Sequence, residues 1–378
     1  MSLASVLGLS AALHFYIGAR IVPAIPGDFA AALVALMLLA SAVLVPAGFF
    51  ARRIAKTPAA ATLASIGFLF MGLFSSLLVL TVLRDALLLL VSVVGLAAPS
   101  APGLAAWPTV SAAAVPPLAI MVTFLGYLNA RRVAKVVTLE VPMPGLPASL
   151  HGFTIVQISD IHVGPTIGRP FVEAIVEAVN RLQPDVVAIT GDLVDGTVAE
   201  LGSHVEPLAR LESRHGVYFV TGNHEYYSGV EPWLAELRRL GITVLHNQHV
   251  VIERSGARLV LAGVPDYGAR YFDSAHRSDP QAALAGAPAD AAVKILLAHQ
   301  PRSAAAAAQA GFDLQLSGHT HGGQFLPWNF LIRLQQPFTA GLYSVGQLRV
   351  YVSRGTGYWG PPKRVGAPSE ITEVRLTG

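Results

Sequence analysis

Long apolar runs dominate the first third of the chain, and short alternating ones take over near residue 131. "FAALVALMLLASAVLVPAGFF" (29–49) carries no charge, nor does "ATLASIGFLFMGLFSSLLVLTVL" (61–83). A membrane-spanning helix needs about 20 predominantly apolar residues, so each run is long enough to cross a bilayer. "VSAAAVPPLAIMVTFLGYL" (110–128) is a third candidate despite its prolines, and "LASVLGLSAALHFYIGARIV" (3–22), interrupted by His14, is a fourth. The competing reading is a buried Ala/Leu-rich helical bundle, which charge-free runs of this length disfavour. Arg84 and Asp85 follow the second of these runs and precede another apolar stretch. They mark a helix end or pair inside the bundle, because intramembrane charge is costly without a partner.

Beyond residue 131 the period changes. "KVVTLEV" (135–141), "FTIVQISD" (153–160), "DVVAIT" (185–190), "GVYFVT" (216–221) and "ITVLHN" (242–247) read as strands. "RPFVEAIVEAVNRL" (169–182) places Phe171, Ile175, Val179 and Leu182 at helical spacing, and "EPWLAELRRL" (231–240) is a second helix. A hairpin turning at Ser255-Gly256 is expected over 250–264. The strands "KILLAH" (294–299), "DLQLSG" (313–318), "RVYVSR" (349–354) and "ITEVRL" (371–376) follow, with an Ala-rich helix over 301–310. Strands alternating with helices predict an α/β domain over 131–378, preceded by an all-α transmembrane region over 1–130 with about four spans.

Composition sharpens this division. Only 13% of the 378 residues are charged, against roughly 25% in an average soluble domain. Before Arg131 the only acidic residues are Asp28 and Asp85. No basic segment precedes the first apolar run, which argues against a cleavable signal peptide. "ARRIAK" (51–56) and "ARRVAK" (130–135) follow the second and fourth spans. The positive-inside bias puts both in the cytoplasm, and with them the amino terminus and the second region. The chain is therefore expected in the inner (cytoplasmic) membrane. Its lack of cysteine agrees with a reducing compartment. A pI of about 9.2 without a dense basic stripe fits anionic lipid better than nucleic acid.

Chemistry sits just past the strand ends. Asp160 and His162 follow one strand in "SDIH", and Asp192 and Asp195 follow the next in "TGDLVD". "TGNHE" supplies Asn223, His224 and Glu225; "LLAHQP" supplies His299; "LSGHTH" supplies His319 and His321. Ligands of α/β sheets bind beyond the carboxyl ends of the strands, so the five turns are expected to face one cleft. Two carboxylates, one amide oxygen and four imidazoles, with no thiolate, suit Mn2+, Fe or Zn2+. That set exceeds what one ion needs and suits two ions sharing a bridging carboxylate. Each residue alone is ordinary: a turn or cap aspartate, a surface histidine, a turn asparagine. Their ordered recurrence is the signal. His14, His204, His215, His246, His249 and His276 lack such a setting.

The series "SDIH … TGD … GNHE … AHQ … SGHTHGG" resembles the calcineurin-like metallophosphoesterase superfamily over about residues 135–378. "LSGHTHGGQ" and "YVSRGTGYWGPPKR" are similar to its bacterial membrane-associated branch. The resemblance implies a two-sheet β sandwich flanked by helices, with a dimetal site at one edge. By motif it implies Asp160, His162 and His321 as ligands of one metal. It implies Asn223, His299 and His319 as ligands of the other, with Asp192 as the bridge. Glu225 stands where aspartate is frequent, and no ligand is missing.

Two such ions activate a water for in-line attack and clamp phosphoryl oxygens, which leaves His224 to stabilise or protonate the leaving oxygen. The expected activity is hydrolysis of a phosphodiester or pyrophosphate bond, with lipid-linked and nucleotide-sugar compounds as candidate substrates. The alternatives are a protein phosphatase or other phosphomonoesterase, and a non-catalytic metal-binding membrane scaffold. After His321, "GGQFLPWNFLIRL" brings Phe325, Leu326, Trp328, Phe330, Leu331 and Ile332 close in sequence to the site. Such a loop either packs into the domain's core or contacts lipid, with Arg333, Lys363 and Arg364 as headgroup partners.

Overall fold

The computed structural model describes residues 3–54, 57–97 and 103–378. Ala55 and Lys56, which end the first basic cluster, lie outside the described residues. Two compact units are present: residues 1–131 with 360–365, and residues 132–359 with 366–378.

Among the described residues of the first unit, four helices are long and apolar enough to cross a membrane. They are α1 (Leu3–Ile21), α2 (Asp28–Ile54), α3 (Pro58–Ala97) and α4 (Trp107–Arg131). Large apolar side chains stay exposed along them, among them Phe15, Leu36, Leu39, Leu89 and Phe124, as expected where lipid rather than protein is the neighbour. A smaller set, including Ile17, Leu38, Leu77 and Val115, packs between the helices. Helix α3 runs on through Arg84 and Asp85 instead of stopping there. The carboxylate of Asp85 accepts hydrogen bonds from Tyr16 and Arg20, so the pair is partnered inside the bundle. His14 is also buried, within 2.8 Å of the Ser41 hydroxyl.

Residues Gly360–Val365 belong to this helical unit. The Lys363 amine donates to the Gly72 carbonyl and to the Ser76 hydroxyl, each at 2.7 Å. The Arg364 amide donates to the Gly126 carbonyl at 2.9 Å. Glycine at 126 is a steric necessity, since a Cβ there would come within 2.7 Å of Lys363 Cγ. Lys363 and Arg364 are both buried, which removes them as partners for a lipid headgroup. Burial pushes the Lys363 amine down to about 8, because desolvation disfavours the charged form.

The second unit is built on two mixed six-stranded sheets. One has the order β1 (Lys135–Pro142), β12 (Glu370–Thr377), β2 (Thr154–Ile158), β3 (Val186–Ile189), β4 (Val217–Phe219), β5 (Thr243–Val244). The other runs β10 (Gly341–Val345), β11 (Leu348–Val352), β9 (Leu314–Ser317), β8 (Val293–Leu297), β7 (Ala257–Gly263), β6 (Gln248–Arg254). Strand alternation sorts the side chains. Ile155, Val186 and Val374 of the first sheet share one core with Leu261, Ile295, Leu297 and Leu316 of the second. Their neighbours Ala262, Leu296 and Ala298 belong to a separate cluster with Ala304, Ala307 and Phe312, as a period of two requires. Helix α5 (Arg169–Asn180) buries Val172, Ile175, Val176 and Val179. Each such side chain contributes about 1.5–3 kcal/mol by leaving water. The architecture is the expected sandwich with flanking helices.

Parallel pairing sets the polarity of the site. Strands β2, β3, β4 and β5 are mutually parallel, as are β7, β8, β9 and β11. The turns that carry the motif residues therefore leave neighbouring carboxyl ends.

Candidate metal centre

Seven of the eight residues singled out as ligands or acid meet in one cluster, and Asn223 stands in the chain directly before one of them, His224. Asp160, His162 and His321 form one group that could hold an ion; Asp192, His299 and His319 form a second. His162, Asp192 and His224 form a third, so that Asp192 and His162 each serve two groups. The His162 Nε2 and His321 Nε2 atoms are 3.1 Å apart, as are His299 Nε2 and His319 Nδ1. Asp192 Oδ2 is 3.1 Å from His299 Nε2 and 3.8 Å from His162 Nε2.

The turns are laced before the side chains converge. Asp160 N donates to Gly191 O at 3.0 Å, and His162 N to Asp192 O at 3.1 Å, tying the first turn to the second. The Gly318 amide donates to the His299 carbonyl at 2.9 Å, tying the fourth to the fifth. Asp160, His162, Asp192, His319 and His321 all have positive φ, between 51° and 71°. Left-handed backbone is uncommon outside glycine, and five cases in one cluster indicate strain held for a purpose. Gly222 is required for a different reason: a Cβ on it would overlap the Asp192 carboxylate.

Two carboxylates beyond the assigned set organise the centre. Asp195 Oδ1 lies 3.0 Å from His162 Nδ1 and 2.6 Å from His224 Nδ1. Burial alone would raise the Asp195 carboxyl, but the two imidazoles hold it well below the usual carboxylate range. Glu225 is fully buried and accepts from the amides of Gly222, Asp192 and Leu193 at 2.6–3.0 Å. It joins the second turn to the third. Burial, with the charge of Asp192, pushes Glu225 up to about 7. The sequence assigns no role to Asp195 and marks Glu225 only as standing where aspartate is frequent. The available signal was spacing: Asp195 stands three residues after Asp192 in the same strand-end segment.

Protonation follows from these contacts. His299 Nδ1 donates to the Thr190 carbonyl at 2.8 Å, which turns Nε2 toward Asp192 and His319. The bond from His162 Nδ1 to Asp195 likewise turns Nε2 of His162 toward His321. Burial and the neighbouring His299 press His319 down to about 3, so it is neutral. For His224, burial would lower the ring, but Asp192 and Asp195 raise it to about 9. Its ring makes edge contacts with Tyr227 and Trp359, centroids 5.2 and 5.7 Å away.

These residues fit divalent metal. Paired imidazole nitrogens 3.1 Å apart with carboxylates around them are a donor set that a divalent cation can share. The Oδ1 atom of Asn223 is buried without a hydrogen-bond partner among the described residues. An orphaned buried acceptor is costly, and a cation satisfies it.

A β sandwich whose strand ends gather carboxylate, amide and imidazole around space for ions is a metallophosphoesterase fold. Residues 153–323 match the calcineurin-like phosphoesterase family. The chain is 45% identical over 271 residues to a transmembrane protein with metallophosphoesterase domain of Danio rerio, covering 68% of this chain and 62% of that one. A Bos taurus protein of the same description is 47% identical over 276 residues, covering 69% and 62%. A metallophosphoesterase of Aquifex aeolicus is 35% identical over 226 residues, covering 59% of this chain and 85% of its own length. The chain thus spans about 62% of the length of the two vertebrate relatives. It belongs to the calcineurin-like phosphoesterase family, and its four apolar helices make it a membrane protein.

Proposed function

We propose that the chain is a membrane-anchored dimetal phosphohydrolase that cleaves a phosphodiester or pyrophosphate bond, with residues 1–130 as the anchor and 131–378 as the catalytic domain. In this reading Asp160, His162 and His321 hold one ion, Asn223, His299 and His319 the other, and Asp192 spans both. When bound, the ions, Mn2+, Fe or Zn2+ by donor type, supply Lewis-acid stabilisation and a nucleophile at neutral pH. His224 stabilises or protonates the leaving oxygen, and Asp195 orients its ring. The observation that supports the reading is the clustering of Asp160, His162, Asp192, His299, His319 and His321 in groups that could hold an ion, with the Asn223 oxygen buried and unpartnered.

A lipid-linked substrate is favoured by the loop after His321. Phe325 is buried, but Leu326, Trp328, Phe330, Leu331 and Leu334 are exposed, the last at 82%. Contiguous exposed apolar residues mark an interaction surface. Arg131, Arg132 and Lys135 support a cytoplasmic position for this half of the chain in the inner membrane.

The test is Asp192→Asn in the full chain, with bound metal measured by mass spectrometry and turnover of an aryl phosphodiester. Metal content should fall and turnover should be lost. Two ions retained with normal turnover would overturn the dimetal reading.

A further inference from the structure

The helical unit carries a second charged cluster, unrelated to the metal centre. Arg20 lies in the last turn of α1, and Arg84 and Asp85 lie inside α3. The Asp85 carboxylate accepts from the Tyr16 hydroxyl at 2.8 Å and from Arg20 Nε at 2.9 and 3.0 Å. Arg84 Nη1 is 3.6 Å from the same carboxylate. Its Nε donates to the Ser111 hydroxyl at 3.1 Å and its Nη2 to the Pro108 carbonyl at 3.0 Å, both at the start of α4. Two guanidiniums thus share one carboxylate, which leaves one uncompensated positive charge among apolar helices.

That excess is not sealed in. Arg84 is buried, but the Arg20 side chain is 48% exposed and Asp85 24%. Among the described residues only Nε of Arg20 is hydrogen-bonded, so the N–H groups of its two terminal nitrogens are unspent on this half-exposed side chain. A planar pair of donors of this kind matches phosphate oxygens. On the same helix as Asp85, Val82 and Leu83, just before it and toward the part that packs in the bundle, are exposed. They form a surface suited to acyl chains. Trp107, exposed at the first position of α4, is a residue type that prefers the headgroup level.

We infer that Arg20, with Arg84 behind the shared Asp85, binds the phosphate of an anionic membrane lipid whose chains lie along α3. An intramembrane charge left uncompensated by protein calls for a partner. A bilayer supplies one with a phosphate at headgroup depth and apolar chains below it. A free phosphate ion would use the same guanidinium but would gain nothing from the apolar flank.

The experiment uses the full chain in detergent, equilibrated with equal amounts of phosphatidylglycerol and phosphatidylcholine. Retained lipid is counted by native mass spectrometry. The wild-type chain should retain phosphatidylglycerol preferentially. Arg20→Gln removes the excess charge and should reduce that preference about fivefold, the value of one basic residue near an anionic headgroup. Asp85→Asn leaves two cations uncompensated and should increase it. A lack of preference in the wild type, or an unchanged one in Arg20→Gln, would overturn the inference. So would a decrease in a folded Asp85→Asn chain; if that variant does not fold, Arg20→Gln alone decides. Loss of the bound lipid on adding excess inorganic phosphate would mean that the site reads phosphate alone, and the lipid assignment would fall.

Discussion

The Asp195 carboxylate sits 2.6 Å from Nδ1 of His224, closer than its 3.0 Å contact with His162. One oxygen thus fixes both the proposed acid and a proposed ligand. A histidine held at Nδ1 presents Nε2 in a single orientation, which is how a carboxylate partner usually acts on an imidazole.

Asp195→Asn should therefore lower kcat by about a hundredfold, within the range that general acid assistance covers. Asp195 is expected to work through His224, so the double variant with His224→Ala should fall little further than His224→Ala alone. Residues acting as one unit are non-additive. Steady-state kcat of the four proteins on an aryl phosphodiester checks this. Fully additive losses would place the effect of Asp195 on His162 instead.

Gly222→Ala should be disproportionately harmful. The new methyl would occupy the space of the Asp192 carboxylate, so bound metal and turnover should fall together. Gly202 sits in a helix (Val198–Val205) with only ordinary contacts around a built Cβ. Gly202→Ala should leave metal content unchanged and stabilise by up to about 1 kcal/mol. Metal analysis with thermal unfolding of both variants separates the two outcomes.

The strand-end ligands were legible in the sequence because each follows an apolar strand within a few residues, and the order of the turns carried the rest. What held the turns together was not. Glu225 reads only as an acid standing where aspartate is frequent, yet it receives three buried amides from two separate turns. The left-handed backbone at His319 and His321 leaves no compositional trace, because neither residue is glycine. Arg84 and Asp85 admitted two readings, and only the contact with Tyr16 and Arg20, some 65 residues away, separates a helix end from an internal pair. Lys363 looked like a headgroup partner for the same reason: its own neighbours in sequence say nothing of Gly72 and Ser76.

Membrane orientation is a third expectation open to direct measurement. Under the proposed orientation, in which the basic residues at the end of α4 face the cytoplasm, alkaline phosphatase fused after Gly378 should be inactive in intact cells. A cytoplasmic reporter fused at the same point should be active. The opposite pattern would invert the helices or change their number.

The hexapeptide 360–365 has a practical meaning for anyone dissecting the molecule. Counting along the chain, the border between the two compact units is crossed after residues 131, 359 and 365. No single incision separates them. A truncated protein starting at residue 132 would keep Lys363 and Arg364 but lose Gly72, Ser76 and Gly126, the groups that receive them. Excision would leave residues 360–365 in the middle of the remaining sequence without the acceptors they use, so removing the helices by truncation also strands a piece of their own unit.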